Sequence, residues 1–359
     1  MPDSARRMTE LAGKHARLVA LLDRRGADAL LLDTPASLSW YLCGARTHVS
    51  LAGPPVARLL VHRDGAELGA FSNEADRLAA EELPPGVGLS TVPWHGSLAE
   101  TSQWHAAAGD WRIVDESDAH PELRAARATL HPAERERYRA LCVDAAAALT
   151  DVLAAATPRT TERAVSAALG ARILEAGADP LVLLVGGASR AAHRHPLPTE
   201  AALGHRAMAV VCARRHGLIA SVTRWVAFGR PAPGEEEADL GILRVEADVF
   251  AALVPGAPLS SVLDVLQGSY PRHGFADDEW TRHHQGGAAG YAGRDPRVAP
   301  GIADRMHPHQ AFAWNPTAHG AKVEDTVLLG DAGVEILSVD PRWPTVEVAG
   351  RRRPEVLRP

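Results

Sequence analysis

The run at 280–295, WTRHHQGGAAGYAGRD, limits the possible folds of this chain more than any other stretch. Within 283–290 it packs two adjacent histidines, a glutamine and three glycines. That mixture is rare in a packed core and common where backbone must approach a small ligand closely. Three further stretches combine reactive side chains with apolar runs: SRAAHRHPLPT at 189–199, AFAWNP at 311–316 and KVEDTVLL at 322–329. All four lie in the second half of the chain, which is where an active site is expected.

The surrounding periodicities supply a scaffold. A chain of 359 residues is too long for one ordinary core, so two domains are expected. Apolar residues recur at helical spacing over 11–25, and ALLLD at 29–33 reads as a buried strand. SLSWYLCGA at 37–45 reads as a strand, followed by a hairpin turning at Asp64-Gly65 and a short charged helix at 74–82 that Pro84 and Pro85 stop. This defines an α/β domain over 1–118, leaving 119–359 as a second domain. There, helices are expected around 121–127, after Leu130 with Pro132 in the first turn, and from the opening Thr160-Thr161-Glu162-Arg163 to about Leu174. A strand from Pro180 and a hairpin turning at His216-Gly217 follow, then helices at 235–253 and 259–267, then strands at AFAWNP, KVEDTVLL and GVEILS. Two β-rich blocks, each preceded by helices, suggest a duplicated α+β unit around a curved antiparallel sheet.

Composition excludes several classes of function. With 46% hydrophobic and 23% charged residues and a formal charge of -6, the chain has the make-up of a globular protein and shows no Lys/Arg stripe for nucleic acid. RRRP at 351–354 reads as a solvated basic end. No apolar run approaches the roughly 20 residues that cross a bilayer, and MPDSARRMTE lacks an apolar leader, so a cytoplasmic protein without membrane partners is expected. Cys43, Cys142 and Cys212 are odd in number and far apart, which reads as reduced thiols.

In order and spacing these pieces resemble the pita-bread fold shared by aminopeptidase P, prolidase, methionine aminopeptidase and creatinase. The resemblance rests on His-x-x-Pro at 195–198, the hairpin ending in Thr223-Arg224, HHQGGAAGY and Glu324-Asp325-Thr326, and it covers nearly the whole chain. It implies a creatinase-like N-terminal domain and an α+β pita-bread catalytic domain. In the peptidase members, two Asp, one His and two Glu bridge a pair of divalent metals. Carried over here, the Asp positions fall on or near Cys212 and Ser221, the His position on Gly287, and the Glu positions on Asn315 and Glu324. One carboxylate among neutral groups cannot hold two hard cations that repel each other, so no dinuclear metal and no other cofactor is expected. A single soft ion on Cys212, His284 and Glu324 is the remaining metal arrangement.

Creatinase keeps this fold and hydrolyses a C–N bond without metal, which implies His195 as general acid/base, since an imidazole can accept and return a proton near pH 7. The same resemblance implies that His284 supports developing negative charge, with His283 pointing the other way as strand neighbours do. Glu324, with Lys322 two residues away as its sequence-local partner, completes the catalytic set. Substrate contacts are expected from Arg194, Gln285, Gly286, Gly287, Tyr291, Arg294 and Asn315. Arg46, beside Trp40 and Tyr41, is expected to reach the pocket of a partner subunit in a homodimer. The implied activity is hydrolysis of an amide or amidino bond in a small amino-acid-like or short-peptide substrate. A metal-dependent Xaa-Pro peptidase, a histidine-based lyase or isomerase, and a silent binding domain are the alternatives.

Overall fold

A computed structural model describes residues 4–100 and 109–359. It divides into two compact units: Met1–Arg127 with His131–Ala133 and His216–Leu218, and Ala128–Leu130 with Glu134–Arg215 and Ile219–Pro359. The division falls at the end of the helix that follows residue 118.

In the first unit, helix α1 (Ser4–Arg25) buries Arg7, Glu10, Lys14, Leu18, Leu21 and Leu22, a stripe at the spacing that lays one face of a helix on a core. The buried Lys14 ammonium is paired with Glu10 at 2.6 Å. Strands β1 (Ala29–Leu32), β2 (Ala57–His62), β3 (Gly65–Phe71), β4 (Val87–Val92) and β5 (Ile113–Asp115) form a mixed sheet in the order β4-β3-β2-β1-β5. The expected strand at 37–45 is instead mostly helix, α2 (Pro35–Tyr41). Thr34 caps it by accepting from the Ser37 N–H at 3.2 Å, and Pro35 fills the first turn, so the start signal outweighs the β-prone residues behind it. Helix α3 (His120–Ala128) follows.

The second unit repeats one pattern. Helices α4 (Pro132–Ala154) and α5 (Glu162–Glu175, capped by Thr161) precede β6 (Asp179–Gly187), β7 (Arg206–Arg215) and β8 (Leu218–Ala227). Helices α6 (Glu235–Ala251) and α7 (Ser261–Arg272) then precede a second set of strands. These are β9 (Gly286–Ala289), β10 (Ala311–Trp314), β11 (Thr317–Ala318), β12 (Ala321–Lys322), β13 (Asp325–Gly330), β14 (Gly333–Ile336), β15 (Thr345–Val348) and β16 (Arg351–Pro354). The sheets β6-β7-β8 and β14-β13-β10-β9 meet where Thr223 pairs with Glu324, the Thr223 N–H donating to the Glu324 carbonyl at 3.0 Å. Val323, Val327 and Leu329 pack into the core beneath α6 and α7. Alternation along the strand therefore turns Lys322, Glu324 and Thr326 to the other face.

The basic end is not a solvated tail. Arg353 is only 1% exposed and its guanidinium joins Glu246 of α6 (3.0 Å) to Asp325 of β13 (2.5 Å), while Arg224 grips the same Asp325 at 2.8 Å. A polar run at the end of a sequence looks solvated because its acidic partners are far away in the chain. Among the described residues no helix is long and apolar enough to cross a membrane.

Candidate active site

On the face of the second unit opposite the α6–α7 core, a carboxylate, a guanidinium and an ammonium share one buried patch. Glu324 is 3% exposed; its Oε2 accepts from the Thr223 hydroxyl and its Oε1 from Arg294 Nη2, each at 2.8 Å. Arg294 Nη1 donates to the Gly293 carbonyl at 2.5 Å and reaches Ser221 Oγ at 3.5 Å, and Ser221 Oγ lies 3.5 Å from Cys212 Sγ. Burial alone would raise the Glu324 carboxyl; Lys322, Arg294 and the Thr223 hydroxyl reverse this and hold it below the ordinary range. Arg294, thirty residues away, rather than the sequence-local Lys322, is its ion-pair partner. Lys322 is itself buried, and burial lowers its ammonium against the pull of Glu324.

Three imidazoles complete the patch. His195 Nε2 lies 3.0 Å from His283 Nε2, and the nitrogens of His195, His283 and His284 fall within 4.8 Å of one another. His283 does not point away from His284: their rings stack at 4.3 Å, because His283 Nδ1 turns back onto the His284 carbonyl at 2.5 Å. A carbonyl only accepts, so Nδ1 of His283 carries its proton. Its Nε2 is then the acceptor, His195 donates through Nε2, and the free lone pair of His195 sits on Nδ1. Burial pushes His283 down to about 2 and His284 to about 4, with Lys322 adding to the first and Arg294 and Arg297 to the second. His195 is lowered in the same sense, by burial and then Lys322. All three rings are thus held neutral, first by burial and then by the surrounding cations.

Several other expected contacts have their hydrogen-bonding capacity taken up within the protein. Gln285 donates to the carbonyls of Trp280 (2.8 Å) and His283 (2.7 Å) and accepts from the Tyr270 hydroxyl (2.7 Å), which makes it the support of the histidine loop. Arg194 pairs with Glu279, and Tyr291 donates to the buried Glu134 at 2.6 Å. Arg46, in the first unit, is bound by Glu82 (2.6 Å) and Glu81 (3.3 Å). Gly286 and Gly287 lie opposite Trp314 and Ala313 in the β9–β10 register. Asn315 is buried with its Oδ1 unpartnered, as are His284 Nδ1 and Arg294 Nε. The Thr223 hydroxyl and the ring of His283 were not anticipated as site groups; the hairpin marker Thr223-Arg224 and the doubled histidine were their only signals.

The donor set at Cys212, Ser221, Gly287, Asn315 and Glu324 does not fit a pair of divalent cations. Its one carboxylate is already neutralised by Arg294, and burial pushes the Cys212 thiol up to about 11, so it stays protonated. At Gly287 a Cβ would press on the Pro296 carbonyl and come within 2.9 Å of the Val298 nitrogen, leaving no room for a ligand side chain. A cavity of about 340 Å³ opens elsewhere in the same unit, beside Trp225, Asp239, Leu243 and Val356; Thr223 and Lys322 border it and no histidine does.

Two helix-then-strand blocks whose sheets meet at Thr223 and Glu324, preceded in the chain by a separate α/β unit, define the pita-bread class. The profile of Metallopeptidase family M24 matches residues 136–331, more than half of the chain, and the chain belongs to that family. Among solved structures it is similar to the prolidase from Pyrococcus horikoshii OT3 (TM-score 0.75, 16% identity, covering 92% of this chain and 99% of that one). It is also similar to dipeptidase PepE from Mycobacterium ulcerans (0.73, 18%, 99% and 98%). A third similar structure is the N-terminal domain of FACT complex subunit SPT16 from chickpea (0.67, 13%, 92% and 96%). Among curated protein sequences, no match is found.

Proposed function

We propose that this family member hydrolyses a C–N bond, amide or amidino, of a small amino-acid-like substrate without a dinuclear metal centre, using His195 as general acid/base. The observation that supports this reading is the pairing of a neutralised carboxylate, Glu324 with Arg294 at 2.8 Å, with an accessible imidazole whose partner His283 leaves its Nδ1 lone pair free. In the proposed reaction His195 Nδ1 takes a proton from water as the oxygen attacks the electrophilic carbon. The C–N bond then breaks and the same proton passes to the departing nitrogen. His284, with its unpartnered Nδ1, donates to the oxygen or nitrogen that gains charge; such a donor lowers the barrier by about 3 kcal/mol. Glu324 holds Arg294, and Asn315 offers an unpartnered amide oxygen to a substrate N–H. A homodimer in the cytoplasm belongs to the same proposal.

The second reading, a metal-dependent Xaa-Pro peptidase, is favoured by the prolidase and dipeptidase names among the similar structures. One experiment separates them. Purified protein is analysed for metal and assayed on a panel of N-acyl and amidino amino acids and Xaa-Pro dipeptides, with and without excess chelator. Chelator-resistant turnover that falls by a factor of about 100 or more in His195→Ala is expected. Turnover that chelator abolishes and manganese restores, or full activity in His195→Ala, rejects the reading.

A further inference from the structure

Resting on that reading, we propose that the Arg294 guanidinium is the resident cation of this site, filling by a covalently attached group the space that divalent ions would need. Three observations carry it. The guanidinium spans two of the positions tested above as metal ligands, Glu324 at 2.8 Å and Ser221 at 3.5 Å, and its side chain is only 8% exposed. The segment that delivers it also closes the site: Arg297 bridges to Gly287, and the Val298 N–H donates to the Gly286 carbonyl at 2.9 Å. Finally, Arg294 Nε is buried without a partner, as is His284 Nδ1, so the cation keeps one N–H in reserve. A buried donor left unpaired costs stability unless a ligand or water completes it.

The rival cation site is the imidazole trio, whose nitrogens lie within 4.8 Å of one another. Burial first, and then Lys322, Arg294 and Arg297, keep these rings unprotonated, and those three charges also oppose a dication there. An oxygen atom of an anionic or carbonyl ligand meets a field of the right sign.

Removing Arg294 should therefore leave a guanidinium-shaped, singly anionic vacancy. In Arg294→Ala the melting temperature is expected to fall, and millimolar guanidinium or methylguanidinium chloride to restore at least half of the loss. Sodium chloride at equal ionic strength, or manganese, should restore none, and wild type should not respond. Adding Glu324→Gln should abolish the recovery. Failure of guanidinium to restore stability, or equal recovery with manganese, overturns the inference. If Arg294→Ala does not fold, Arg294→Gln/Glu324→Gln decides: a folded double variant supports the pair, and an unfolded one overturns it. Manganese retained at two equivalents by wild type would instead reject the metal-free reading beneath it, so the two failures are distinguishable.

Discussion

At Gly287 the backbone φ is +149°, a region that side chains avoid, and an added Cβ would come within 3.0 Å of the Arg297 Cα. The residue is a glycine because a second segment of chain lies against it, not because a turn needs flexibility. Gly287→Ala is accordingly expected to destabilise the protein by about 1–3 kcal/mol from the backbone alone, plus the clash, measured by urea denaturation. An unchanged midpoint would show that the 294–298 segment is not held there. The histidines teach a related lesson. Doubled at 283–284 they suggest opposite faces of a strand, yet one backbone hydrogen bond stacks them and aims both at His195. The ion-pair partner of Glu324 is not legible in the sequence: Lys322 lies nearer, but Arg294, thirty residues earlier in the chain, makes the pair.

Elements depend on such distant pairs as much as on their own periodicity. Strand β16 is tied to β13 and α6 by Arg353, which serves two buried acids at once. Burial first, countered by Arg353 but reinforced by Asp325, pushes Glu246 up to about 7, whereas Arg224 and Arg353 overcome burial to keep Asp325 below the ordinary range. Breaking a buried pair strands its charges, so Arg353→Met is expected to cost about 3–5 kcal/mol near neutral pH. Part of this loss should return at mildly acid pH, where Glu246 takes up a proton. Equal destabilisation at both pH values in urea titrations would show that the carboxylates are not what Arg353 satisfies. Helices α4 and α5, by contrast, were readable from Pro132 and the Thr161 cap, because a cap acts within its own turn. At α2 the strand preference of Trp40 and Tyr41 is weaker than a Thr-Pro start whose Thr34 hydroxyl is held by Glu116.

For the whole molecule, the neutral imidazoles make stability depend on acidity with a defined sign. His283 and His284 titrate near 2 and 4 when folded against an ordinary 6.5, so between those values the unfolded chain binds more protons. Their contribution is complete above about pH 6.5 and is lost as pH falls through that value toward 4. Glu246, raised rather than lowered, acts in the opposite direction, so the histidine part is isolated by comparison with a variant. His283→Asn/His284→Asn should lose less melting temperature than wild type on acidification across that window; parallel curves would show that the rings are not held neutral.

By itself the sequence determined most of the helix-and-strand order, the two-block architecture and four reactive stretches of the second half, since hydrophobic period, caps and turns act over a few residues; the element at 35–41 is the exception. Tertiary structure alone decided which group meets which: Arg294 with Glu324, Arg353 with Asp325, and His195 with His283. An ion pair's strength depends on distance and burial, and neither is encoded locally. The neutral residues of these stretches are written in the sequence; that the Arg294 guanidinium folds into their midst is decided only by the tertiary structure, and in our proposal it sets this molecule's chemistry apart.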